Sequence, residues 1–303
     1  MTAYGIMAAA TVAVAFALYG VILRKRKLRP GLALAALPLA AVLALLCARA
    51  GYAVLLQLED LFVWGEWSTL TDFQARRLCF VTGAVGACLG VALAARLCRV
   101  PGREAMDAFA APGALLVAGL RLAEGQLGKF GAGVLVEGEG WLNGAPFTIA
   151  DTWGDRYVAV FFWEAVAALV IFLFALLMRE GRPGVRFEKT AFALCLCQVL
   201  LENMRNQSMR WGFVYVEQLL CAVILMALVW RACRRHEKKQ GRYRPCLWMA
   251  CCMIGVVGEE FARQKGGSEL LAEGGYFLMA AILLGMALIY RNAVRETTSP
   301  EAR

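Results

Sequence analysis

Six long apolar stretches, Ala3 to Leu23, Leu32 to Leu46, Leu78 to Ala95, Tyr157 to Met178, Val214 to Trp230 and Tyr276 to Tyr290, constrain this chain more than any motif. Lipid offers no partner to a backbone N–H or C=O, so a chain of this kind satisfies those groups within helices or within a closed barrel. Runs of this length match helices, because a span takes about 20 residues and a barrel strand about 10. Three shorter runs, 109 to 120, 190 to 201 and 246 to 257, need polar continuations that face protein or water. The expected fold is therefore an all-α polytopic membrane protein of nine helices. With 60% hydrophobic and only 18% charged residues, a soluble domain is excluded.

Orientation follows from the basic residues, which cytoplasmic loops retain. Of the 32 Lys and Arg, 22 fall in five regions: Arg24 to Arg29, Arg96 to Arg103, Arg179 to Lys189, Arg231 to Arg244 and the C-terminal tail. Strict alternation puts all five inside if one of them is, with the N-terminus outside and the C-terminus cytoplasmic. The net charge of +9 then needs no nucleic acid to explain it. Met1 to Tyr4 hold no basic cluster and no small-residue cleavage site follows, so no cleaved signal peptide is expected. Trp64, Trp67, Trp141, Trp153 and Trp211 fall near the outer interface and Trp230 and Trp248 near the inner one, as aromatic belts do.

The short runs end in charges. Arg121 and Glu124 follow the first, Glu202 and Arg205 the second. A charged group inside hydrocarbon costs several kcal/mol unless it is paired or hydrated, so each is a functional candidate. Twelve residues rising about 1.5 Å each lift Arg121 and Glu202 roughly 18 Å into a core of about 30 Å. Glu164, descending from outside, arrives near that level, and Gln218 and Tyr4 also belong to the outer half. The spacing of Gln198, Glu202 and Arg205 predicts one shared helix face. The result is a polar layer facing a bundle interior. A later copy, Glu260-Phe261-Ala262-Arg263-Gln264, follows the third short run in the same way.

Between Arg121 and Arg156 the chain reads as an outer loop with a hairpin, carrying Glu137, Glu139, Trp141, Asn143 and Asp151. Gly125, Gly128, Gly131 and Gly133 would let backbone amides approach a phosphate, or would form a flexible connector. The eleven cysteines give no disulfide framework, and His236 is the only histidine, so neither a metal site nor a cofactor is expected.

These residues carry a resemblance. Tyr4-Gly5 opens the first helix, Thr82-Gly83-Ala84-Val85-Gly86 lies in the third, and Asp107 stands five residues before Pro112, with Arg121 following. Trp163-Glu164-Ala165 then starts a helix, and Glu202 to Arg205, Ser208 to Gly212 and Gln218-Leu219 complete the order. In that order and spacing the chain resembles the bacterial prolipoprotein diacylglyceryl transferases over residues 1 to 230. The family flanks its arginine with Gly before and Gly-Asn-Phe after, where this chain reads Leu120-Arg121-Leu122-Ala123-Glu124-Gly125. Val81-Thr82-Gly83 replaces the family's His-Gly-Gly, and Gln198 stands for another arginine.

The resemblance implies a seven-helix transferase core with an outer loop over residues 122–155. A basic cytoplasmic loop, two extra C-terminal transmembrane helices and a tail, residues 231–303, would then be an extension. It implies a multi-pass protein of the bacterial cytoplasmic membrane that moves a diacylglyceryl group from phosphatidylglycerol to the lipobox cysteine of preprolipoproteins. Membrane lipid and those preprolipoproteins would be its partners. Positive charge at headgroup depth suits a departing phosphate, which makes Arg121 and Arg205 the expected anion ligands, with Glu164, Gln198 and Gln218 around the substrate. Thiol attack requires a base, and Glu124, Glu202 and Tyr4 all qualify. Glu202 alternatively orients Arg205. Two other functions stay open: a lipid-binding homologue without catalysis, and a transporter, which also uses interrupted hydrophobic segments. The bland readings are a structural Glu202–Arg205 pair, a snorkelling Glu164, an interfacial Tyr4 and a helix-bonding Gln218.

Overall fold

Thr2 caps the first helix, its hydroxyl accepting from Gly5 N at 3.3 Å, and α1 then runs through Ala3–Lys25. The computed structural model describes residues 2–57, 63–65, 67–74, 77–136, 144–179, 181–206, 208–211, 214–235, 243–265 and 269–296. His236, Glu137, Glu139, Trp141 and Asn143 lie outside them. Eight further helices follow among the described residues: α2 (Gly31–Leu56), α3 (Phe80–Leu97), α4 (Gly102–Glu124), α5 (Val160–Leu177), α6 (Val185–Glu202), α7 (Val216–Arg234), α8 (Arg244–Lys265) and α9 (Glu269–Glu296). The chain is an all-α polytopic membrane protein.

Eight of the nine are long and apolar enough to cross a membrane. The exception is α6, whose first turns carry Arg186, Glu188 and Lys189. Two of the three short runs gain length as expected. The polar start Gly102 to Asp107 extends the first into α4, and Gly258 to Lys265 extend the third into α8.

The chain divides into two compact units. The first holds Met1–Leu194 and Met204–Met209; the second holds Cys195–Asn203 and Arg210–Arg303. In the first unit the glycines of α3 are packing devices. A Cβ on Gly86 would fall 2.3 Å from Leu43 O, and one on Gly90 2.4 Å from Ala40 Cα, so α2 and α3 touch backbone to backbone. Small residues at helix contacts serve this purpose in lipid, where apolar surface alone gives helices no reason to associate. Gly119 does the same for α1 and α4, since its Cβ would strike the Thr11 side chain at 2.3 Å. Further along these two helices Phe16, Tyr19 and Phe109 form an aromatic cluster, and Tyr19 donates to Ala105 O at 3.2 Å.

Asp107 explains how α6 begins. Its carboxylate reaches from α4 to accept from Gly184 N at 2.6 Å and Phe187 N at 2.9 Å, satisfying amides that a helix start leaves open. Negative charge there also complements the helix dipole. In the second unit α7, α8 and α9 pack together, joined by the last turns of α6.

Candidate functional site

Arg121 and Glu124 sit one turn apart at the C-terminal end of α4, where a cation complements the helix dipole. Arg121 Nη1 donates to Glu124 Oε1 at 2.6 Å. Glu164, in the second turn of α5, lies 3.3 Å from Arg121 Nε through its Oε2. The helix begins at Val160 rather than near Tyr157, because Tyr157 belongs to a strand, so Glu164 stands closer to the helix end than the sequence suggests. Trp163 stacks on Phe147 with ring centroids 5.4 Å apart, fixing the start of this helix.

Arg205 departs from expectation. Helix α6 ends at Glu202, so Arg205 does not share its face; the chain turns and Arg205 forms an antiparallel bridge with Gly133. Asn206 N donates to Ala132 O at 3.2 Å, Gly133 N to Val158 O at 2.7 Å, and Val158 N to Val134 O at 3.0 Å. Beyond them β1 (Thr148–Ala150) pairs antiparallel with β2 (Arg156–Val158), forming the expected hairpin. This small sheet carries Arg205 to the helix ends. Its Nη2 donates to Glu124 Oε2 at 2.6 Å and also to Glu164 Oε2, while its Nε donates to Glu164 Oε1 at 3.2 Å.

The outcome is a closed ring of two guanidiniums and two carboxylates in which each carboxylate bridges both arginines. All four residues are buried, at 8% exposure or less. The formal charges cancel, which is what makes such burial tolerable: removing one member of a buried ionic set strands its partner at a cost of about 3–5 kcal/mol. Phe80, at the start of α3, covers the ring from one side with its face 3.6 Å from Arg121 Cζ. Tyr4, half-buried near the start of α1, has its hydroxyl within electrostatic reach of Glu124 and Arg121.

The glycines of the loop have a different use from the one expected. Gly125 and Gly131 make room for the Phe161 ring, and a Cβ on Gly133 would fall 2.5 Å from both Met204 O and Val160 Cγ2. The Gly133 amide is engaged with Val158 O. These positions fit the loop to α5 and to the Arg205 segment. Of the four, only Gly128, at φ +63°, occupies the left-handed region that favours glycine.

Three predicted residues belong to the second unit. Gln198 Nε2 donates to Glu202 Oε2 at 2.9 Å, as their helical spacing predicts, and Gln218 Nε2 donates to Val199 O at 3.1 Å. Gln218 therefore bonds neighbouring helices. Phe80 and the positional role of Gly133 were missed by sequence reasoning. Gly133 carried a signal in its loop of glycines, whereas nothing local marks Phe80 as a partner for Arg121.

No curated protein and no solved structure gives a significant match to the chain. The sequence profile of the family described as prolipoprotein diacylglyceryl transferase matches residues 1–234, a stretch that includes all four members of the buried ring, together with Tyr4 and Phe80. With more than three quarters of its length inside that match and eight helices fit to span a bilayer, this chain belongs to the prolipoprotein diacylglyceryl transferase family of multi-pass bacterial membrane proteins.

Proposed function

We propose that the protein transfers the diacylglyceryl group of phosphatidylglycerol to the lipobox cysteine of preprolipoproteins. The observation that carries this reading is the convergence of Arg121 and Arg205, from separate elements, on one buried point in a membrane-spanning unit. Two forked cations at one place suit a phosphodiester whose bridging oxygen must leave as an anion. In the reaction a thiolate sulfur bonds to the glycerol carbon, that carbon's bond to the phosphate oxygen breaks, and glycerol phosphate departs with the electron pair. Glu124 is assigned as the base for the thiol, Tyr4 as its neighbour, and Glu164 as the group that keeps the guanidiniums together. Gln198 and Gln218 are assigned to substrate binding, and Glu202 is the second candidate for the base. Residues 1–230 form the transferase domain and residues 231–303 an appended extension, with the N-terminus outside and the C-terminus in the cytoplasm.

A second reading is lipid binding without transfer. It is favoured by Val81, a buried apolar residue standing where the family has its histidine. The two readings separate in one assay. Purified protein in vesicles containing phosphatidylglycerol is incubated with a lipobox peptide, and the peptide mass is followed. A diacylglyceryl thioether is expected; its absence from folded, lipid-supplied protein would falsify transfer and leave lipid binding.

A further inference from the structure

The two carboxylates of the buried ring do not hold the arginines alike. Glu164, with a side chain 3% exposed, accepts from both the Nε and the Nη2 of Arg205 while also pairing with Arg121 Nε. Glu124, with a side chain 11% exposed, takes a single nitrogen from each arginine, and it lies in the last turn of α4, directly before Gly125. Carboxylate and phosphate oxygens compete for the same guanidinium nitrogens with the same planar geometry. Arg121 Nη1 and Arg205 Nη2 already donate to carboxylate oxygens, so a phosphate takes those two nitrogens only where a carboxylate yields. The more exposed and singly bonded one is Glu124.

We infer that Glu124 is an exchangeable ligand of the arginine pair: an organic phosphate entering the site takes Arg121 Nη1 and Arg205 Nη2, and releases Glu124 to act on the acceptor thiol. Glu164 remains as the fixed counter-ion that holds the two guanidiniums at one spacing. The second half of this scheme rests on the proposed transfer reaction; the exchange itself does not. While the ring is closed, both oxygens of Glu124 accept from arginine. The base is therefore delivered only after the donor is seated, and the donor precedes the acceptor. The released carboxylate takes the thiol proton, sulfur forms its bond to the glycerol carbon, and the carbon–oxygen bond breaks towards phosphate. The proton passes to the departing phosphate monoester, and Glu124 closes the ring again.

The test uses full-length protein in phosphatidylcholine nanodiscs, free of phosphatidylglycerol, with glycerol 1-phosphate as the probe. Calorimetry is expected to show that Glu124→Gln binds the anion about tenfold tighter than the wild type, because a neutral amide competes less well than a carboxylate for Arg121 Nη1 and Arg205 Nη2. Glu164→Gln is expected to bind it no tighter than the wild type. Equal or weaker binding by Glu124→Gln overturns the exchange. A second measurement needs no variant: with carbon-13-labelled glutamate, difference infrared spectra of the wild type should show a carboxylate stretch moving when glycerol 1-phosphate binds. An unmoved carboxylate band overturns the proposal as well. Intact exchange with no thioether product would instead count against the transfer reading alone.

Discussion

Glu202-Asn203-Met204-Arg205 and Glu260-Phe261-Ala262-Arg263 share one spacing, yet the backbone treats them differently. Helix α6 stops at Glu202 and releases Arg205 into a bridge with Gly133, whereas α8 runs on to Lys265 and keeps Arg263 helical. In the first copy the arginine reaches carboxylates on α4 and α5. In the second, Glu259 and Glu260 are both buried on a continuous helix. The same four-residue word thus places its arginine in a β-bridge in one copy and within a helix in the other. Gly133 leaves the space that Met204 O needs, since a Cβ there would fall 2.5 Å from it.

The largest expected effect separates the two copies outright. Arg205→Lys replaces a forked donor with a point charge and should lower transfer by about 10²–10³-fold, the usual cost of losing one preorganised donor. Arg263→Lys should leave the rate within about twofold, because the proposed reaction gives Arg263 no part. Equal losses in a product assay would break the distinction. Gly133→Val should give an intermediate loss of about 10–100-fold in kcat by displacing Arg205 without removing it. A rate equal to that of the wild type would show that the bridge does not position the arginine. The smallest effect is at the other end of α6. Asp107→Asn weakens the acceptors for Gly184 N and Phe187 N and should cost about 1 kcal/mol, seen as a Tm lower by about 2–4 °C. An unchanged Tm would mean that α6 is anchored by other contacts.

Parts of the site were legible because they are local. Arg121 and Glu124 are three residues apart on a helix, and Gln198 and Glu202 are four apart; both pairs meet as helical geometry requires. Glu164 and Arg205 were identified as candidates by their charge in apolar surroundings, but their partners were not. The spacing of Glu202 and Arg205 predicts one helix face, whereas the helix stops at Glu202. The difference has a physical cause: a bridge to Gly133, far away in sequence, leaves no mark on the four residues involved. Phe80 was illegible for the same reason, since a ring at a helix start resembles any other apolar residue until an arginine lies against it.

By itself the sequence determined the environment and the elements. Apolar runs in a chain with 60% hydrophobic residues can satisfy their backbone in lipid only as helices, and charges within those runs must be neutralised or hydrated. It also determined the family, through motifs whose order survives in this chain. The tertiary structure decided which charges neutralise one another. Four residues from three separate parts of the chain close into one ring where glycines at 125, 131 and 133 let α4, α5 and the Arg205 segment approach. Charge balance in a buried site is a property of distances across the fold, and those distances are set by packing that no local pattern encodes.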